Sequence, residues 1–141
     1  MELVARETGG ALDGLVNNAG ISEFGVFGTQ RSADIAAVMS TNVVAPMLLT
    51  HALLPVLGNQ DEAIVLNVGS ILGSIGLPGQ VAYSASKFGL HGFSEALRRE
   101  TQGTSVNVLY VAPRATNTEM NSAEMRDFNK ATGTASDEPG V

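Results

Sequence analysis

The chain has 141 residues, 44% apolar and 16% charged, with 8 Lys plus Arg against 14 Asp plus Glu for a net charge of −6. Such a composition suits one domain with a real core and excludes a disordered or fibrous chain. The basic residues are scattered, with only Arg98-Arg99 adjacent, which argues against a nucleic-acid groove, and the lack of cysteine excludes disulfides, thiolate catalysis and Cys-ligated metals.

In chain order, Ala11–Asn17 (ALDGLVN) reads as a first strand. The segment Ser22–Gln30, with Phe24 and Phe27, follows it where a substrate-lining loop belongs. Ser32 is the expected N-cap, with Asp34 in the first turn, of a helix running to about Leu57 that Pro46 should bend. Ala63–Val68 (AIVLNV) is a second strand, and a second helix runs from about Val81 to Thr101 and stops at Gly103. Ser105–Val111 (SVNVLYV) is a third strand. All three strands are near-continuously apolar, as parallel strands buried on both faces are. A short helix is expected near Ser122–Lys130, before a polar tail.

No run approaches the ~18–20 apolar residues of a membrane helix, and Met1-Glu2 lacks a basic n-region and apolar h-region. A soluble, cytoplasmic protein with no membrane partner is therefore expected. His51 and His91 lack the partners and spacing of a triad or metal site and read as surface or interface residues. No metal is expected.

Strand, helix, strand, helix, strand makes two consecutive βαβ units, whose right-handed crossovers give an open parallel sheet flanked by helices, an α/β fold. Ligands of such sheets bind beyond the carboxyl ends of the strands. Those ends are Asn17-Asn18-Ala19-Gly20, Gly69-Ser70 and Ala112-Pro113.

The residues that carry chemistry gather there. Tyr83 and Lys87 stand at i and i+4 of the second helix, on one face and one turn apart. A phenol of reference pKa near 10 exchanges protons poorly at neutral pH, and a nearby ammonium favours its ionised form. Lys87 is thus expected to lower the pKa of Tyr83, a candidate general acid/base. Ser70, just after a buried strand, is placed to hydrogen-bond a carbonyl or developing alkoxide.

YxxxK alone is a weak signal, but here NNAG (Asn17-Asn18-Ala19-Gly20), Asn42, Ser70 and Tyr83-Ser84-Ala85-Ser86-Lys87 occur in order, with thirteen positions from Ser70 to Tyr83. In these features the sequence resembles the short-chain dehydrogenase/reductase family, in its compact branch, from about residue 1 to 125. The resemblance implies a Rossmann-type sheet and an NAD(P)-dependent oxidoreductase that interconverts a small-molecule alcohol and carbonyl with NAD or NADP. It makes Asn42, Ser70, Tyr83 and Lys87 catalytic. Tyr83 would move the proton, Ser70 would polarise the carbonyl, and Lys87 would tune Tyr83 and hold the nicotinamide ribose. Asn42 would maintain a helix distortion and a water that extends the proton relay to Lys87. Asn17, Ala19 and Gly20 would line the adenosine side of the cofactor. Pro113 and Thr118 match the family's PGxVxT segment, which holds the carboxamide, whereas Arg114 and Thr116 depart from it. A homo-oligomer is implied for the full-length protein.

The family's TGxxxGxG diphosphate turn is not present, nor any G-x-G-x-x-G, and Gly73-x-x-Gly76-x-x-Gly79 does not replace it. Residues 1–141 are therefore expected to be a single partial Rossmann-like catalytic domain. The first βαβ portion would lie upstream, and the first strand would have an unpaired edge. A second reading, of a different class, is a non-catalytic fragment acting as an interaction module through that edge or its helices.

Overall fold

The computed structural model describes residues 7, 9–114, 123, 126, 127 and 131. Three parallel strands, β1 (Gly14–Asn17), β2 (Ala63–Val68) and β3 (Val106–Val111), lie side by side in the order β1-β2-β3. Between β1 and β2 run α1 (Ser32–Met39), a π-turn over Ser40–Val44, and α2 (Ala45–Leu57). Between β2 and β3 runs α3 (Val81–Glu100), which ends at Thr101 before Gly103, whose φ is +83°. The helix expected near residues 122–130 falls almost wholly outside the described residues.

Two parallel crossovers of the same hand that step in the same direction lay their helices on one face of a sheet. The burial pattern shows the result. On the helix side, Leu15, Val65 and Val108 form one row in register across the three strands, with Ala63 and Val106 below it, all buried. Leu53 and Leu57 of α2 and Leu97 of α3 close over these rows to make the core. The opposite face exposes Val16, Ile64, Leu109 and Val111. The expectation of strands buried on both faces is thus corrected: each strand alternates, because among the described residues only one face is covered.

The long helical segment also departs from expectation. Ser32 is the first helical residue of α1; Arg31 holds the cap position, without a side-chain capping bond. Pro46 lies at the start of α2 directly after the π-turn, so its missing N–H falls where the α-helical ladder is already interrupted. Ser32–Leu57 as a whole is long and apolar enough, by length and composition, to cross a membrane, contrary to the sequence reading. Its inner face packs on the sheet through Thr50, Leu53 and Leu57, while Val44, Met47 and Leu48 remain exposed on the outside.

The core rows make one stability test direct. Leu57 is wholly buried and Leu48 is 63% exposed, though both lie on α2. Leu57→Ala should cost roughly 2–5 kcal/mol in denaturant unfolding, and Leu48→Ala within about 0.5 kcal/mol. Equal losses would contradict this packing.

Candidate active site

Above the apolar row of the sheet lies a polar one. Asn17, Asn67 and Tyr110 are partners in register at the carboxyl ends of β1, β2 and β3. Asn17 Nδ2 donates to Asn67 Oδ1 at 2.7 Å and to Thr50 Oγ1 of α2 at 3.1 Å. Asn67 Nδ2 donates to Ser94 Oγ of α3 at 2.8 Å, and that hydroxyl donates to the Leu90 carbonyl at 2.7 Å. An amide buried without partners costs about 1–3 kcal/mol, so this chain fixes both helices over the strand ends.

A second clamp holds the turn after β1. Asn42 sits in the π-turn, 1% exposed. Its Nδ2 donates to the Ile21 carbonyl and to Ser86 Oγ, and its Oδ1 accepts from the Ile21 N–H, each at 2.9 Å. Ser86 in turn donates to the Tyr83 carbonyl at 2.7 Å. The extra residue of a π-turn turns a side chain out of α-helical phase, and here it lets one amide reach both the Asn17–Ile21 turn and the first turns of α3. The expected helix distortion is therefore present at Asn42.

Tyr83 and Lys87 lie on α3 beside Ser70, which opens the short 3₁₀ turn Ile71–Gly73. Ser70 Oγ accepts from the Leu72 N–H at 3.2 Å, and its side chain lies near enough to the Tyr83 phenol to favour the ionised form of that group. Lys87 Nζ is buried, donates to the Val68 carbonyl at 2.9 Å, and lies 5.6 Å from the centre of the Tyr83 ring. Burial holds the Tyr83 pKa above that of a free phenol, partly offset by the Ser70 bond, with Tyr110 adding a smaller upward push. This reverses the expected direction. Desolvation disfavours phenolate, and the ammonium is aimed at a carbonyl and the ring face. Burial also lowers the pKa of Lys87.

The remaining candidates fall at different distances from this centre. Gly20 lies against it: a methyl group added there would come 3.4 Å from Asn42 Oδ1 and 3.6 Å from Lys87 Nζ. Ala19 is exposed and, with Asn18, Thr41 and Pro46, borders an open cavity of about 600 Å³ beside the turn. Asn17 reaches the wall of that cavity, but its side-chain amide is committed to the buried network. Pro113 is exposed, and its carbonyl accepts from the Ile71 N–H at 3.1 Å, tying the chain after β3 to the Ser70 turn. Arg114 is exposed; Thr116 and Thr118 lie outside the described residues. The loop 22–30 packs on the segment that leads into α3, with Ser22 Oγ on Gln80 Oε1 at 3.1 Å, Gly25 N–H on the Gly79 carbonyl at 3.0 Å, and the Phe24 ring packed against Gly79.

His91 and Tyr110 were not among the expected site residues. The two rings stack with centroids 4.5 Å apart at 11°, behind Ser70, and His91 is half-buried. The signal for Tyr110 is strand alternation: it shares the parity of Val106 and Val108, which face the helices.

The profile of the short chain dehydrogenase family matches residues 1–129, and the chain belongs to that family. It is 38% identical over 109 residues to the ketoacyl reductase HetN of Nostoc sp., covering 77% of this chain and 38% of that protein. It is 39% identical over 111 residues to the human 3-oxoacyl-[acyl-carrier-protein] reductase, covering 79% of this chain and 47% of that protein. A short-chain dehydrogenase structure from Streptomyces avermitilis superposes with a TM-score of 0.78 at 34% identity, over 84% of this chain and 43% of that one. The chain thus spans less than half the length of these relatives, and its three strands form part of a Rossmann-type sheet.

Asn42→Ala removes three hydrogen bonds around a buried position. It should lower unfolding free energy by roughly 2–4 kcal/mol and speed amide exchange at Ile21. Unchanged exchange at Ile21 would show that Asn42 does not hold the turn.

Proposed function

We propose that this chain supplies the proton-transfer half of an NAD(P)-dependent oxidoreductase that interconverts an alcohol and a carbonyl, with Tyr83 as the acid/base. The observation that carries the reading is the convergence of the Ser70 hydroxyl, the Tyr83 phenol and the buried Lys87 ammonium at the carboxyl ends of β1 and β2. Belonging to an oxidoreductase family supports it.

Lys87 has three ammonium protons, and its one hydrogen bond among the described residues uses a single one, on Val68. The others suit the hydroxyls of a nicotinamide ribose. Gly20, without a side chain, keeps the approach to Lys87 and Asn42 open. Ala19, beside the open cavity, suits the adenosine side. The residues present therefore fit the nicotinamide-ribose end of NAD or NADP. When bound, that cofactor supplies or takes up the hydride at the substrate carbon.

For reduction, Ser70 donates to the substrate carbonyl oxygen and orients it toward Tyr83, whose phenol delivers the proton as charge develops on that oxygen. The resulting phenolate lies beside the Lys87 ammonium, which stabilises it until a proton returns from solvent. In the reverse direction the phenolate removes the alcohol proton. Asn42 keeps the π-turn and the Gly20–Ile21 backbone in place and holds the Lys87 surroundings. The exposed apolar stripe Val44, Met47 and Leu48 supports a homo-oligomer. An interaction module remains the competing reading, favoured by the exposed apolar sheet face at Val16, Ile64 and Leu109.

Kinetics on the full-length protein decide between them. Tyr83→Phe should cut turnover by at least ~100-fold and leave cofactor binding largely intact; retained turnover would overturn the acid/base assignment. The pKa direction fixes the pH behaviour. With the phenol pKa raised, Tyr83 is protonated through neutral pH. Carbonyl reduction should therefore be flat there and fall only above about pH 10. Alcohol oxidation, which needs phenolate, should rise with pH over the same range.

A further inference from the structure

Tyr110 completes the polar row of the sheet, but its side chain takes a different course from those of Asn17 and Asn67. Its phenol passes under the Ser70 turn, in a slot that exists only because two residues there lack side chains. A methyl group on Gly69 would lie 2.1 Å from Tyr110 Cζ, and one on Gly73 would lie 2.3 Å from its hydroxyl. Real Cβ atoms do not sit at such distances, so neither glycine accepts a side chain while Tyr110 holds this course, and at Gly73 the Lys87 carbonyl, 2.9 Å away, excludes one as well. The hydroxyl reaches both backbone groups of one residue with long hydrogen bonds: it accepts from the Ser70 N–H at 3.5 Å and donates at 3.4 Å to the Ser70 carbonyl, which also accepts from the Gly73 N–H at 2.9 Å. Behind it His91 stacks on the ring, and His91 Nδ1 meets the Gly73 carbonyl at 3.2 Å, at the far end of the same turn. That carbonyl can only accept, so Nδ1 carries the hydrogen.

We propose that Tyr110, backed by His91, is a positioning residue for Ser70, fixing the backbone from which the Ser70 hydroxyl meets the Tyr83 phenol. The proposal rests on the reading of Ser70 and Tyr83 as the substrate-facing pair and adds a residue that touches neither substrate nor cofactor. Two phenols thus lie near Ser70: Tyr110 bonds its main chain, and Tyr83 is close enough for the Ser70 side chain to favour its ionised form. A hydroxyl in a 3₁₀ turn with several backbone rotations open to it presents its oxygen over a range of positions, and pinning both peptide groups narrows that range. The titratable and charged groups around Tyr110 are His91 and Tyr83 of α3, with Glu95 and Arg98 along the groove between α3 and β3.

The test needs no turnover and uses the full-length protein, with the Ser70, Gly69 and Tyr83 signals assigned by site-specific isotope labelling. Tyr110→Phe keeps the ring, the stack and the filled slot and removes only the hydroxyl. At neutral pH, hydrogen exchange at the Ser70 amide should speed up about tenfold. The Gly69 amide, bonded to the Val111 carbonyl at 2.7 Å, should keep its protection as the internal control. Ser70 exchange equal to wild type overturns the bridge, as does equal loss at Gly69, which would mean general loosening. A second readout follows Tyr83 by ¹³Cζ chemical shift through alkaline pH. If the Tyr110 hydroxyl places Ser70, Tyr110→Phe weakens the Ser70 bond and the Tyr83 midpoint moves up, with no further rise in a Ser70→Ala background. A downward move means that Tyr110 acts on Tyr83 through charge alone and contradicts the proposal. If Ser70→Ala by itself leaves Tyr83 unmoved, the Ser70–Tyr83 pairing is wrong, and the Ser70 amide still decides whether Tyr110 holds the turn.

Discussion

The structure depends on what it takes to bury two asparagine amides at the end of a parallel sheet. Asn17 and Asn67 sit where apolar side chains would be easier to bury, and each must find partners that water can no longer supply. Their bond to each other leaves donors that Thr50 on α2 and Ser94 on α3 satisfy. Both crossover helices are therefore fixed in height and rotation against the strand ends. Hydrophobic packing by Leu53, Leu57 and Leu97 is non-directional and would tolerate sliding; the amide chain does not.

From that level the site is assembled in short steps. The rotation of the helix pair sets the π-turn, the π-turn points Asn42 at Ile21 and Ser86, and Ser86 holds the Tyr83 carbonyl. Lys87, one turn along α3, reaches the end of β2 at Val68, and Ser70 follows two residues later. The resting state this produces is a neutral phenol beside a desolvated ammonium, each pushed toward its uncharged form by burial. Under the proposed function, a site built this way is primed to give a proton and stabilises phenolate only once the proton has left.

Much of this was legible in the sequence because it depends on local chemistry. The i, i+4 pair Tyr83 and Lys87, the serine after a buried strand, and the strand-helix alternation each follow from short spacings. What was not legible depends on which surface is covered. Near-continuous apolarity in β2 and β3 suggests two buried faces, yet strand parity decides which residues meet helices, and Tyr110 has that parity among apolar neighbours. The bonds of the Asn17 amide are not legible in the NNAG turn it opens, because its partners Thr50 and Asn67 lie 33 and 50 positions away. The direction of the Tyr83 shift is not legible in spacing, for a related reason. Spacing brings Lys87 near, but only the packed structure shows that its ammonium points to Val68 and that burial outweighs it.

The central claim is that these residues present a carbonyl or alcohol carbon to a nicotinamide while Tyr83 moves the proton. Label transfer tests it most directly. The full-length protein would be incubated with C4-deuterated NADH or NADPH and a panel of ketones, β-ketoacyl thioesters among them, and the alcohol product examined by mass spectrometry and NMR. The account predicts deuterium on the carbinol carbon of the product. Tight binding of the cofactor with no deuterium passing to any carbonyl of the panel would contradict it.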